Sequence, residues 1–270
     1  MELYKWSGAG NTFVVIDGRG KALTFGAADI QRICREYGTD GLMILRDSAA
    51  GRDFAMEFFN PDGSGGMMCG NGGRCIVAFA DWLGIRPANN STFVFDAPDG
   101  VHTAEILRRP GPGTEEWTVR LQMKDVDGIT EYPDGLFLNT GTRHFVKFVP
   151  DVDAIDIEAE ALPIRHDLRF APEGTNVNFV EATASQCIRI RTFEKGVEGE
   201  TAACGTGITA AALACRFKGI EPNGIASPDA ARISYRLQAR EATLSVDFLQ
   251  KKEDAFTDVF LTGPAKILAE

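Results

Sequence analysis

Two cysteines stand in matching local sequences, Cys69-Gly70-Asn71-Gly72 and Cys204-Gly205-Thr206-Gly207, and each opens a run of small and apolar residues with helical spacing. They lie 135 positions apart (204 less 69), half of the 270-residue length. A helix start carries outward-pointing N–H groups and roughly half a positive charge, which lowers a thiol pKa from about 8.5 toward neutrality. The same N–H groups bind anions. Two such starts facing one another could hold a carboxylate between them, with one sulfur removing a proton from the α-carbon and the other returning one. The glycines at 70, 72, 205 and 207 permit a close backbone approach. The chemistry implied is that of a racemase or epimerase.

The elements that must position these thiols follow from periodicity. Phe54 to Phe58, Val119 to Met123, Ile188 to Arg191 and Leu244 to Phe248 alternate apolar with polar residues, as half-buried antiparallel strands do. Pro-Asp-Gly turns at 60–63, 97–100 and 132–135 separate strands of this kind. Ile30, Ile33, Cys34 and Tyr37 make one helical face, and longer helices are expected over Gly73–Leu83 and Thr206–Phe217, closed by Gly84 and Gly219. The doubling extends to Gly10-Asn11-Thr12-Phe13-Val14, which matches Thr142-Arg143-His144-Phe145-Val146 in position. The expectation is an α/β (α+β) fold of two pseudo-symmetric domains, each a mainly antiparallel meander or barrel around a central helix. The Pro/Gly-rich stretch Arg109–Thr114 is the expected connection, and the site is expected in the cleft between domains.

Composition excludes several classes. A net charge of −10 without a Lys/Arg cluster argues against a nucleic-acid partner. The N-terminal sequence has no signal-peptide pattern, and no apolar run approaches 18 residues, so a cytoplasmic protein without a membrane partner is expected. Six cysteines and three histidines are too scattered for a disulfide scaffold or a zinc site, and no metal is expected. Cys34, Cys75, Cys187 and Cys215 read as small core residues.

The pattern from Asn60 through Cys69 to Cys75, the segment from Glu194 through Cys204 to Gly207, and the opening Gly10-Asn11-Thr-Phe-Val-Val-Ile-Asp17 closely resemble the diaminopimelate epimerases, over essentially the whole chain. The resemblance implies cofactor-independent interconversion of LL- and meso-2,6-diaminopimelate, serving lysine and peptidoglycan precursor synthesis. It implies that Cys69 and Cys204 are the acid/base thiols, with Gly70, Asn71, Gly205 and Thr206 cradling the reacting carboxylate. Asn11, Asn60 and Asn176 match substrate ligands, His144 and Glu194 match assisting positions, and Lys195 falls at a substrate-binding position. The family fold returns the C-terminal segment to the first domain, giving residues 1–113 with 261–270 as one domain and 114–260 as the other. A homodimer is the family expectation. The chain departs from the common pattern at Thr142, where Asn is frequent, at Gly41, where some members have Gln, and at Lys195, where Arg usually follows the Glu. A related amino-acid racemase with another distal pocket, and a non-catalytic anion-binding or redox protein, are the alternatives.

Overall fold

A computed structural model describes residues 2–66, 69–89, 91–183, 187–224 and 231–268. The chain divides into two compact units, Met1–Gln122 with Thr262–Glu270, and Met123–Leu261. The stretch Arg109–Thr114, expected to connect domains, is instead a hairpin loop inside the first unit, because the strands on either side of it pair with one another. The chain leaves that unit after Gln122.

The first unit contains β1 (Tyr4–Gly8), β2 (Asn11–Asp17), α1 (Ala27–Tyr37), β3 (Leu42–Arg46) and β4 (Phe54–Phe59). It continues with α2 (Gly70–Trp82), β5 (Thr92–Ala97), β6 (Gly100–Arg108) and β7 (Glu116–Gln122). The second contains β8 (Thr130–Tyr132), β9 (Gly135–Asn139), β10 (Arg143–Phe148), α3 (Ile157–Arg165), β11 (Asn176–Ala182) and β12 (Ile188–Glu194). It then adds β13 (Gly199–Thr201), α4 (Gly205–Phe217), β14 (Arg232–Gln238) and β15 (Thr243–Lys252). The last strand, β16 (Ala255–Ile267), begins in the second unit and ends in the first.

In the first unit the strand order runs β1 to β7 and then β16, and β16 pairs back with β1, closing an eight-stranded barrel. Most neighbours are antiparallel, but β2 with β3 and β4 with β5 are parallel. A parallel pair needs a crossover, and these two crossovers carry α1 and α2. The amphipathic α1 buries Ile30, Ile33 and Cys34 against Val14, Ile16, Leu42 and Ile44. Helix α2 is different. Every residue from Gly70 to Asp81 is buried, and the helix contacts β1, β2, β3, β6 and β7, so it fills the barrel.

The second unit repeats the plan in the order β16, β15, β14, β12, β11, β10, β9, β8. Its parallel pairs, β10 with β11 and β12 with β14, enclose α3 and α4 in their crossovers. Helix α4 contacts β9, β10, β11, β12, β14 and β15 and buries Ile208 through Cys215. Helix α3 covers Phe145, Val177, Phe179 and Phe193, and its N-cap Asp156 accepts from the Ala159 N–H. The turns at 97–100 and 132–135 form the β5–β6 and β8–β9 hairpins. The turn at 60–63, with Gly63 at φ 85°, instead precedes α2.

Candidate active site

Each singled-out cysteine is a helix N-cap. Cys69 has φ −95° and ψ 136°, and its carbonyl accepts the first helical bond of α2 from the Gly73 N–H at 2.7 Å. Cys204 has φ −99° and ψ 113°, with the equivalent bond from the Ile208 N–H at 2.8 Å. Both helices run for 13 residues. They begin earlier than the sequence pattern suggested, at Gly70 and Gly205, so Asn71 and Gly72 lie in the first turn of α2, not ahead of it. The N–H groups of that first turn therefore flank the sulfur-bearing residue in each unit.

Around Cys69 a chain of amides fixes the first turn. Arg74 Nη2 donates to Asn71 Oδ1 (2.6 Å), Asn71 Nδ2 donates to Asn11 Oδ1 (2.6 Å), and Asn11 Nδ2 donates to Asp40 Oδ2 (3.2 Å). A cation at one end and a carboxylate at the other set the orientation of both amides. Asn60, at the end of β4, donates to Ser64 Oγ at 3.0 Å within its own turn. Gly41, where a Gln is found in some members of the resembled family, has no room for a side chain: an added Cβ would lie 2.8 Å from the Phe59 carbonyl oxygen and 3.1 Å from the Phe58 ring.

Around Cys204 hydroxyl groups and an imidazole come first. Its Sγ is 3.4 Å from Thr206 Oγ1, which lies 2.9 Å from His144 Nε2 and accepts from Thr142 Oγ1 at 3.1 Å. His144 is completely buried, and burial pulls its pKa down to about 3, so the ring is neutral at physiological pH. Its tautomer follows from its neighbours. Asn178 Nδ2 donates to the Phe145 carbonyl (3.1 Å) and to His144 Nδ1 (3.0 Å), which makes Nδ1 the acceptor and leaves the proton on Nε2. The Nε2–H then points at the hydroxyls of Thr206 and Thr142, both at 2.9 Å. Asn176 donates to the Arg143 carbonyl and accepts the Lys195 backbone N–H, each at 2.9 Å. Glu194 accepts from Thr201 Oγ1 at 2.6 Å.

The structure thus joins Asn11, Asn71 and the start of α2 in the first unit. In the second it joins Cys204, Thr206 and His144 directly, with Asn176 and the Lys195 backbone linked through Thr142. Thr142, a departure from the resembled pattern, is a central member of this network. Asn178 and Arg74 are not evident from the sequence. Asn178 shares a strand face with Asn176 two residues earlier, which is the one available signal; Arg74 is hidden inside an apolar helical run. Cys75 and Cys215 are buried, and burial pushes both thiols up to about 12, in keeping with core roles. Cys34 is likewise buried and its thiol raised by burial, whereas Cys187 is partly exposed. Among the described residues no group of three or more His, Cys, Asp or Glu is arranged to hold a metal, and no helix is long and apolar enough to cross a membrane.

Comparison with known proteins places this geometry. The family model for diaminopimelate epimerase matches residues 3–114 and 136–263. A diaminopimelate epimerase of Flavobacterium psychrophilum is 39% identical, the alignment covering 100% of this chain and 99% of the relative. That of Aquifex aeolicus is 36% identical, covering 97% and 94%. Among solved structures, a Bacillus anthracis phenazine biosynthesis protein of the PhzF family superposes with a TM-score of 0.74 at 14% identity, covering 100% and 98% of the two chains. A probable proline racemase from Agrobacterium radiobacter gives 0.63 at 16%, covering 99% and 92%. At such identities the structural likeness establishes the fold alone. The sequence matches establish more: the chain belongs to the diaminopimelate epimerase family.

Proposed function

We propose that the chain interconverts LL- and meso-2,6-diaminopimelate without a cofactor, using Cys69 and Cys204 as the two acid/base groups. The observation that carries this reading is the pair of N-cap cysteines on matched 13-residue helices, in a chain of this family. In one direction the thiolate of one cysteine takes the α-proton, and the electron pair of the broken C–H bond moves onto the α-carbon and its carboxylate. The thiol of the other cysteine then supplies a proton to the opposite face, forming the new C–H bond. No net oxidation occurs, and the two sulfurs end with their protonation states exchanged. The first-turn N–H groups of Gly70, Asn71, Gly205 and Thr206 would stabilise the charge that develops on the carboxylate, a task that preorganised dipoles perform well.

Asn11, Asn60 and Asn176 are assigned to the substrate's polar groups, His144 and Glu194 to assisting the thiols, and Lys195 to the distal carboxylate. His144 is a donor in this scheme, because its neutral Nε2–H bonds to the Thr206 hydroxyl beside Cys204. The physiological setting we assign is the cytoplasm, in lysine and peptidoglycan precursor synthesis. The test is α-proton exchange in deuterated water, under reducing conditions and with no added cofactor. Diaminopimelate should exchange at least a hundredfold faster than proline, hydroxyproline or lysine; equal rates would redirect the assignment to a related racemase whose distal pocket is set by Lys195 and Thr142.

A further inference from the structure

Arg74 lies in the middle of the first unit with none of its surface exposed. Its three hydrogen bonds all go to neutral oxygens: Nη1 to the Gly70 carbonyl (3.2 Å), Nη2 to Asn71 Oδ1 (2.6 Å) and Nε to the Pro264 carbonyl (3.4 Å). Among the described residues no carboxylate pairs with it. A buried guanidinium without an anion is costly, and such a charge is retained where something compensates it. Burial draws its pKa down to about 10, which still leaves it charged at neutral pH.

The charges on and around α2 are committed elsewhere. Asp81 is held by Arg86, Arg109 and the Trp117 indole; Asp17 pairs with Arg19, Glu105 with Arg120, and Arg46 with Glu57. Lys5 donates to the Tyr37 carbonyl. Glu116 and Lys266 are register partners on β7 and β16, and Asp40 lies beyond two intervening amides. Against the cost of burial, the nearby thiols of Cys75 and Cys69 favour the charged form of Arg74. Cys75 is buried and stays protonated. Cys69 is partly exposed at the N-cap of the very turn that the guanidinium grips.

We propose that Arg74 is a positioning residue that supplies the standing positive charge for a Cys69 thiolate and, through Asn71, locks the anion-binding first turn of α2. The inference rests on the two-thiol reading and deepens it, by naming Cys69 as the sulfur that is ionised before substrate arrives. The second unit shows what its absence looks like. The residue five places after Cys204 is Thr209, whose neutral hydroxyl donates to the Gly205 carbonyl at 2.9 Å, the counterpart of the Gly70 carbonyl that Arg74 grips.

The test measures Cys69 alone. In a Cys204→Ala background, the rate of iodoacetamide alkylation at Cys69, resolved by mass spectrometry from pH 5 to 10, gives the thiol's ionisation midpoint. It should fall well below about 8.5, the value of an ordinary cysteine. Arg74→Lys, which keeps the charge, should stay close to that midpoint, and Arg74→Met should raise it by one pH unit or more, a tenfold loss of thiolate at a given lower pH. A folded Arg74→Met protein with an unchanged midpoint would overturn the proposal. If that variant does not fold, thiolate absorbance near 240 nm in the Arg74-containing protein decides: a midpoint at or above about 8.5 overturns it. Alkylation requires no substrate, so a chain that failed to epimerise diaminopimelate would still reveal whether Arg74 lowers the Cys69 midpoint.

Discussion

The first turns of α2 and α4 share a frame and differ in electrostatics. Each starts from an extended N-cap cysteine, follows it with Gly, and has the first Gly carbonyl gripped by the side chain five places past the cysteine. Around Cys69 that side chain is a buried guanidinium, tied through Asn71 and Asn11 to a carboxylate. Around Cys204 it is a hydroxyl, and the hydrogen-bonded network that reaches the cysteine contains a neutral histidine, two threonines and two asparagines. Even the packing differs. A Cβ on Gly72 would meet the flexible sulfur of Met43 at 3.2 Å, whereas one on Gly207 would meet Asn178 Oδ1 at 2.4 Å. A two-base reaction needs one group ionised and one protonated at the same moment. A duplicated frame with a buried guanidinium on one side and a hydroxyl in its place on the other differs in the sense that need requires.

The largest expected effect erases the comparison altogether. Cys69→Ala and Cys204→Ala should each lower turnover by about a thousandfold or more, the scale of a lost general acid or base, as followed by NMR of the LL and meso forms. A variant that kept a tenth of the activity would remove its cysteine from the chemistry. Next come the two glycines. Gly207→Ala should cost roughly 1 to 3 kcal/mol in urea unfolding, because the added methyl displaces an oxygen held by Thr192, whereas Gly72→Ala should cost less than about 1 kcal/mol. Equal costs would mean that the two first turns are packed alike.

His144 offers a pH test in the second unit. Its folded pKa, near 3, lies below the value of about 6.5 expected when the chain is unfolded. Between those values the unfolded chain binds a proton there that the folded chain does not. Its contribution is therefore complete above about pH 6.5 and declines as the pH falls, by at most about 1.4 kcal/mol per unit. His144→Gln should flatten the stability profile over that range, and a variant with the wild-type slope would show that the ring is not held neutral. The smallest effect concerns the exposed Lys195. Lys195→Arg should lower KM for diaminopimelate a few-fold with little change in kcat, since a guanidinium forks onto a carboxylate where an ammonium cannot. A change confined to kcat would place this side chain at the reacting centre.

Much of this was legible in the residues. The repeated Cys-Gly-x-Gly, the alternating strands and the glycines after each long helix mark the two central helices, and the Pro-Asp-Gly turns mark two hairpins. Other features were hidden for physical reasons. The parallel strand pairs depend on crossovers, which period-2 alternation does not reveal. Helix α3 carries Pro163 in its interior, which obscures the spacing of Ile157, Ala161 and Ile164 on its buried face. Asn178 and Thr192 are polar residues pointing into a core, satisfied by each other, by His144 and by the Phe145 carbonyl, so strand alternation alone gives them no role. Arg74 sits in a run whose apolar neighbours give the pattern of a buried helix, and its importance emerges only from what it fails to pair with.

If Cys69 and Cys204 act on opposite faces of one carbon, the isotope content of the first product records it. LL-diaminopimelate is incubated with reduced enzyme in deuterated water, and the reaction is stopped at a few per cent conversion. A two-thiol reaction gives meso product carrying deuterium at the inverted carbon, because the new hydrogen comes from the second, solvent-exchanged thiol, while the unreacted LL form retains protium. Meso product that retains the original protium would mean that a single group carried the proton across, and would contradict the two-thiol assignment.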